Sequence, residues 1–310
     1  MNKQIVSALA VLAFVPASLA LACTEDGKHG IFPDNNLYIP DSSFGTYAVD
    51  EAQFNASIER AKKVYEPVFA AQGRKYNVIA NWADGTVNAY ADRSGSTSNV
   101  HMFGGLARHP KVTADGFELV ICHETGHHLG GAPKNGGLFG MNKWASNEGQ
   151  ADYYATLKCA REMWKNDDNV GLVGKMSIPL VVTQQCQKSF DQANDIAICE
   201  RGAMAGKALA DTLADLSKLP VTDFETPDTS VVSKTFNEHP KAQCRLDTYF
   251  AGAVCGASKD APLSDTDPTV GTCAQEKGAV LGIRPLCWYK PVDPNAPKGS
   301  VWPSSKIGQR

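Results

Sequence analysis

Two histidines four residues apart with a glutamate between them, His123-Glu124-Thr125-Gly126-His127, are the residues whose types and spacing point most directly to chemistry. On a helix, positions four apart emerge on one face a turn from each other, so both imidazoles can reach one zinc ion at about 2.0–2.1 Å. Glu124 projects about 100° around the helix from His123, placed to take a proton from a water that the cation polarises rather than to bind the cation. Such a pair needs a third ligand, and Glu148 opens a second helical pattern in which Glu148, Asp152, Ala155 and Cys159 share one face. The set His123, His127 and Glu148 leaves a fourth position open, the pattern of catalytic rather than structural zinc. No Cys-x-x-Cys occurs, which disfavours a cysteine-rich structural site. Asp152, one turn beyond Glu148, is suited to accept the other ring N–H of a ligand histidine and so fix its tautomer, a contact typically worth about 10–100-fold in affinity.

The elements that must position these groups follow from periodicity. A helix is expected over 49–71, then strands over 76–82, 87–91 and 99–103, with Asp84-Gly85 as a hairpin signal and a polar turn at Arg93-Ser94-Gly95-Ser96. A helix opening near Thr113 carries the apolar Phe117, Leu119, Val120 and Ile121 into the histidine motif, so it is expected to be buried. Gly126 inside that helix costs about 1 kcal/mol against alanine, which implies that a neighbouring element approaches closely there. Gly130-Gly131 ends the helix, and a glycine-rich connection over 132–143 leads to the second helix over 146–164. One or two helices with a small-residue face are expected over 189–219, a loop and candidate lid over 222–237, and a helix over 242–253 after His239-Pro240. The stretch 23–50 is turn-rich with little periodicity, and the tail from Gly256 has many prolines, so it needs disulfides or docking to be ordered.

Residues 1–22 read as an export signal, with Lys3, an apolar run and the small-x-small site Ala20-Leu21-Ala22. Its removal takes Lys3 and no acid, so the net charge of −3 becomes one unit more negative, which gives no electrostatic reason to expect nucleic acid. No later segment is long and apolar enough to span a bilayer. The remaining chain is near the roughly 250–300 residues where single cores stop growing, so one two-lobed domain is expected over 23–255, followed by an irregular tail over 256–310. Nine cysteines in an exported chain read as a partial disulfide framework with at least one unpaired. Cys122, at the apolar start of the motif, is the candidate for an inert buried thiol. Cys23, the first residue after the signal, is the alternative site of lipidation, but Ala20 stands where a lipoprotein signal normally carries leucine. A soluble periplasmic or secreted product is therefore favoured.

Five short motifs occur in order: Val87-Asn88-Ala89-Tyr90-Ala91, Phe103-Gly104-Gly105-Leu106, His123-Glu124-x-x-His127, Glu148-x-Gln150-Ala151-Asp152, and His239-Pro240 with Arg245 six positions on. This order resembles the gluzincin-type zinc metallopeptidases of peptidase family 48, the family of the heat-shock peptidase HtpX and the prenyl-protein endopeptidases. The family reads Asn-Ala-Phe-Ala, Gly-Leu, His-Glu-x-x-His, Glu-x-Glu-Ala-Asp, and His-Pro with an arginine six on. The likeness covers about residues 76–253. Gln150 departs from the family's second glutamate, the gap between His127 and Glu148 is shorter than usual, and no membrane helices follow the signal. The short gap and Asn147-Glu148 with Asp152 are similar to thermolysin-type peptidases, which use the same His-His-Glu arrangement.

The resemblance implies an α+β, zincin-like fold with a mixed sheet, a motif helix, a second ligand helix and a mainly helical C-terminal half. It also implies one zinc ion and a protein or peptide substrate cut by an exported metalloendopeptidase. His239 would donate to the tetrahedral oxyanion or, alternatively, cap the following helix; Arg245 would pair with a buried carboxylate near the site. The run 99–103, with Asn99, His101 and Phe103, is read as an edge strand able to pair with an extended peptide, or else as an ordinary sheet strand. His128 is expected to pack rather than to ligate, and His29, His101 and His109 have no pattern of ligands or catalysts. The competing function is a binding or scaffold protein in which zinc and disulfides only stabilise the cleft; an intact Glu124 argues against it.

Overall fold

A computed structural model describes residues 30–42, 49–135 and 144–291. The expected export signal, Cys23, His29, most of the glycine-rich connection and the end of the tail lie outside the described residues. The architecture is α+β, with a small three-stranded mixed sheet and helices packed against it.

Helix α1 (Glu51–Ala70) opens on Asp50, whose side chain accepts from the Gln53 N–H and so satisfies one of the helix's orphan donors. Strands β1 (Lys75–Asn81), β2 (Ala89–Ser94) and β3 (Thr97–Phe103) form a sheet in the order β1-β3-β2. β3 runs parallel to β1 and antiparallel to β2. The Asp84-Gly85 pair therefore does not close a hairpin: β1 and β2 are not neighbours, and the Asp84 carboxylate is taken up by Thr86. The hairpin lies between β2 and β3, where Ser94 pairs with Thr97 and Gly95 adopts φ +57°, a left-handed conformation that glycine enters without steric cost.

The reading of 99–103 as an edge strand is also corrected, because β3 is the central strand and its main-chain groups serve both neighbours. The outer positions of the sheet belong to β1 and β2. Period-2 patterning marks a strand but does not say which partners flank it.

A single turn of helix, α2 (Gly104–Ala107), leads into the motif helix α3 (Ala114–Leu129), capped by Thr113 accepting from Gly116 N–H. Almost all of α3 is buried, because the sheet, α1, the second ligand helix and a long helix α8 (Ala193–Leu216) surround it. That environment explains its lack of a polar face. The second ligand helix is continuous but not uniform: α4 (Glu148–Tyr154) passes through a π-helical turn (Ala155–Cys159) into α5 (Ala160–Trp164). Short helices α6 (Asn169–Val173) and α7 (Leu180–Ser189) precede α8, and α9 (Ala242–Ala253) packs across α8 and α4.

Among the described residues four disulfides are present: Cys122–Cys159, Cys186–Cys199, Cys244–Cys287 and Cys255–Cys273. Cys122 is thus not the free thiol expected from its apolar setting. The small-sided face of the second helix lies against α3 and brings Cys159 to it, so the two helices that carry the candidate ligands are cross-linked. Two of the bridges pin the tail. Trp288 is fully buried against Gly149, where a side chain at 149 would overlap the indole, and Arg284 Nε donates to Gln150 Oε1 at 2.7 Å. The tail therefore backs the helix that carries Glu148.

Candidate metal centre

Helices α3 and α4 bring together the residues singled out by spacing. His123, His127 and Glu148 each present one ligand atom, all within 4.8 Å of one another, and all three residues are buried. His123 Nε2 lies 3.3 Å from Glu148 Oε2, and His127 Nε2 lies 3.5 Å from Glu148 Oε1. Donors held at about 2.0–2.1 Å from a tetrahedral zinc stand about 3.3–3.4 Å apart, close to both histidine–carboxylate separations, although each histidine faces a different oxygen of Glu148. His123 Nε2 and both carboxylate oxygens of Glu124 are buried with no hydrogen-bond partner among the described residues. Polar atoms left that way cost about 1–3 kcal/mol each, and a cation with its aquo ligand would relieve all three. A second grouping, Asp228 with Cys244 and Cys287, has both sulfurs spent in a disulfide.

The close approach implied by Gly126 is present. A β-carbon at 126 would stand 3.0 Å from Ala151 O and 3.0 Å from the Tyr154 ring, so glycine lets α4 lie against α3 beside the ligands. Thr125 faces the other way and shares a 2.7 Å hydrogen bond with the Tyr76 hydroxyl of β1, tying the helix to the sheet.

The tautomers follow from the outer partners. His123 Nδ1 donates to Asp152 Oδ1 at 2.7 Å and His127 Nδ1 donates to Ser146 O at 2.8 Å, which leaves each Nε2 facing the pocket. Asp152 also accepts from Arg245 Nε at 2.7 Å and Nη2 at 2.6 Å. Burial opposes ionisation of Asp152, but Arg245 and His123 outweigh it and hold the carboxyl below its usual value. Burial likewise opposes charge on His123, yet Asp152 and Glu148 together lift it to about 9. His127 has no such carboxylate behind it, and burial lowers it to about 4. Glu124 is pushed up to about 8 by burial. Glu148 sits well below its ordinary value: burial works against its charge, and His239, His127 and His123 overcome that.

His239 does not cap α9, whose cap residue is Lys241 without a side-chain bond. Instead its Nε2 lies 3.5 Å from Glu148 Oε2 and donates to Gly30 O at 2.6 Å. Asn99, His101 and Phe103 are not brought to the pocket as a peptide-pairing edge. Asn99 O accepts from His128 Nε2, His101 donates to Asp92 at 2.7 Å and stacks on Tyr90, and Phe103 packs on Tyr90. His128 is buried between Phe69 and Trp144.

Sequence reasoning missed the Ser146 carbonyl, because a main-chain acceptor leaves no trace in residue type. It also assigned no role to Gly30, Ile31 and Phe32, which lie in a stretch without periodicity. Their only signal was a lone glycine before two apolar residues. Comparison with protein-family models, curated proteins and solved structures finds no match. A functional reading therefore rests on the site's own geometry.

Proposed function

We propose that this chain is an exported zinc metalloendopeptidase with a zincin-like fold, similar to the HtpX and prenyl-protein endopeptidase family. The carrying observation is the buried grouping of His123, His127 and Glu148, each histidine Nε2 within 3.5 Å of the Glu148 carboxylate, with the Glu124 carboxylate beside it and free of hydrogen bonds among the described residues. Two imidazoles and one carboxylate suit zinc, and three protein ligands leave a position for chemistry. A zinc ion held there supplies a Lewis acid that polarises both a water and the carbonyl under attack.

Glu124 takes the proton from the attacking water and returns it to the leaving amine. Burial raises Glu124 to about 8 in the metal-free pocket, and the charge of a bound cation would draw it back down. It would then start as the carboxylate the first step needs and hold the proton for the second. Asp152 keeps His123 in the ligand tautomer, and Arg245 keeps Asp152 charged. His239 directs its N–H to a carbonyl oxygen entering beside Glu148, where a well-aimed donor is worth about 3–4 kcal/mol as negative charge develops. Four disulfides fit an oxidising compartment, and no helix among the described residues is long and apolar enough to cross a membrane.

The test is cleavage of an unfolded protein by the zinc-loaded chain, by Glu124→Gln and in the presence of a chelator. Activity is expected only from the unmodified, zinc-loaded protein, with Glu124→Gln retaining zinc. One feature favours the scaffold reading instead: His123, Glu124 and Glu148 have no solvent-exposed surface at all. A zinc-loaded chain that never cuts, even when its cleft is open, would establish that alternative.

A further inference from the structure

The groups that shut the pocket belong to the chain itself. Gly30, Ile31 and Phe32 bend past His239 and Arg245, the two residues that reach Glu148 and Asp152, and Ile31 and Phe32 are buried in the main core. Their backbone is held by the site at consecutive positions. His239 Nε2 donates to Gly30 O at 2.6 Å, Arg245 Nη1 donates to Ile31 O, and Ile31 N–H donates to Ala89 O at 2.9 Å on the outer edge of β2. Asn88 then takes both polar groups of Phe32: its Oδ1 accepts from Phe32 N–H and its Nδ2 donates to Phe32 O, each at 3.1 Å. Five hydrogen bonds thus go to the main chain of three consecutive residues, the kind of contact by which a protein grips extended polypeptide, while the buried Ile31 and Phe32 side chains add the apolar hold. Two of the donors, His239 and Arg245, also touch Glu148 or Asp152. Gly30 lies so close to β2 that a β-carbon there would overlap Ala89 O and Asn88 Oδ1.

We propose that the chain's own Gly30–Phe32 segment occupies the place beside Asn88, Ala89, His239 and Arg245 that a substrate's backbone would take at the metal centre. The protein as folded is then self-blocked, and a peptide enters only when this segment lifts. The inference rests on the peptidase reading for its consequence but not for its test. Ile31 and Phe32 hold the segment down by their burial, and returning two such side chains to water corresponds to an open fraction of about 10⁻² to 10⁻⁴.

The experiment reads binding in the zinc-loaded full chain carrying Glu124→Gln, so that nothing is hydrolysed. A fluorescent peptide with the sequence of residues 30–39 is titrated into this protein and into the same protein with Gly30→Val added. The added side chain cannot share space with Ala89 O, so the segment should vacate the site. Expected is at least 100-fold tighter peptide binding by the Gly30→Val protein. Equal binding by both, or binding by neither, overturns the proposal. If Gly30→Val does not fold, hydrogen exchange of the unmodified chain decides. The Ile31 and Phe32 amides should exchange at least 100-fold faster than those of Val120 and Ile121 in α3, whereas exchange at the same rate overturns the proposal. Peptide binding by the opened protein, combined with no cleavage when Glu124 is restored, would refute the peptidase reading and leave the blocked site standing.

Discussion

Replacing Asp152 with asparagine probes the support of the metal centre with almost no change of shape. The carboxylate is fully buried and accepts three hydrogen bonds: His123 Nδ1 and Arg245 Nη2 on Oδ1, at 2.7 and 2.6 Å, and Arg245 Nε on Oδ2 at 2.7 Å. An amide has one oxygen and one NH₂ group. Turned one way, the NH₂ opposes Arg245 Nε; turned the other, it opposes both His123 Nδ1 and Arg245 Nη2. Either way a donor faces a donor, and the buried guanidinium loses its counter-charge. Breaking one partner of such a pair costs about 3–5 kcal/mol, which should appear as lost stability of the metal-free protein in urea. Zinc affinity should fall about 10–100-fold, equivalent to about 1.4–2.8 kcal/mol, because His123 is no longer locked in the ligand tautomer. A chromophoric chelator in competition measures that loss. Asp152→Asn combined with Arg245→Gln should be less damaging than the sum of the two, with a coupling of about 1–3 kcal/mol, since no unpaired charge remains. An Asp152→Asn protein that stays within about 1 kcal/mol of the parent and binds zinc as tightly would refute this account of the pair.

In the metal-free fold His123 keeps its proton up to about pH 9 and His127 loses its own near pH 4, so a cation arriving at neutral pH must displace the His123 proton. Zinc affinity should therefore rise about tenfold per unit between about pH 6.5 and 8.5, with proton release measurable calorimetrically in buffers of different ionisation enthalpy; a flat profile would sink the assignment. For stability without metal, the raised His123 contributes fully below its unfolded value near 6.5 and loses that contribution as pH rises through about 9. The depressed His127 acts oppositely, its contribution disappearing as pH falls from about 6.5 through 4, so urea midpoints should decline on both sides. Replacing Cys122 and Cys159 by alanine opens a cross-link spanning 37 residues; the chain-entropy relation gives a loss of about 4 kcal/mol, checked by thermal unfolding. Gly126→Leu forces side-chain atoms into Ala151 and Tyr154, so a loss of about 1–3 kcal/mol with weaker zinc binding is expected, and unchanged zinc titrations would show that α4 does not need this approach.

Much of the pocket was legible before any coordinates, because it is written in local periods. His123 and His127 are one turn apart, Glu148 and Asp152 are one turn apart, and each pair needs only a helix to share a face. Gly126, a poor helix residue, betrayed a neighbour, and α4 proved to be that neighbour. The boundaries of α9 were equally local, set by His239-Pro240 before it and the apolar run within it.

Other features depend on which distant segments meet. Asp84-Gly85 has the residues of a hairpin turn, but β1 takes β3 as its partner, and no turn signal encodes a strand's choice of neighbour. For the same reason 99–103 could be read as a strand but not as the central one. Cys122 looked inert because its surroundings are apolar, and its bridge to Cys159 exists only because two helices pack closely. The block at Gly30–Phe32 was the least visible, since its hydrogen bonds go to main-chain atoms that every residue carries. Side-chain period determined the candidate ligands of this protein. Long-range packing decided what those ligands face and what covers them, because contacts between segments far apart in the chain have no period to read.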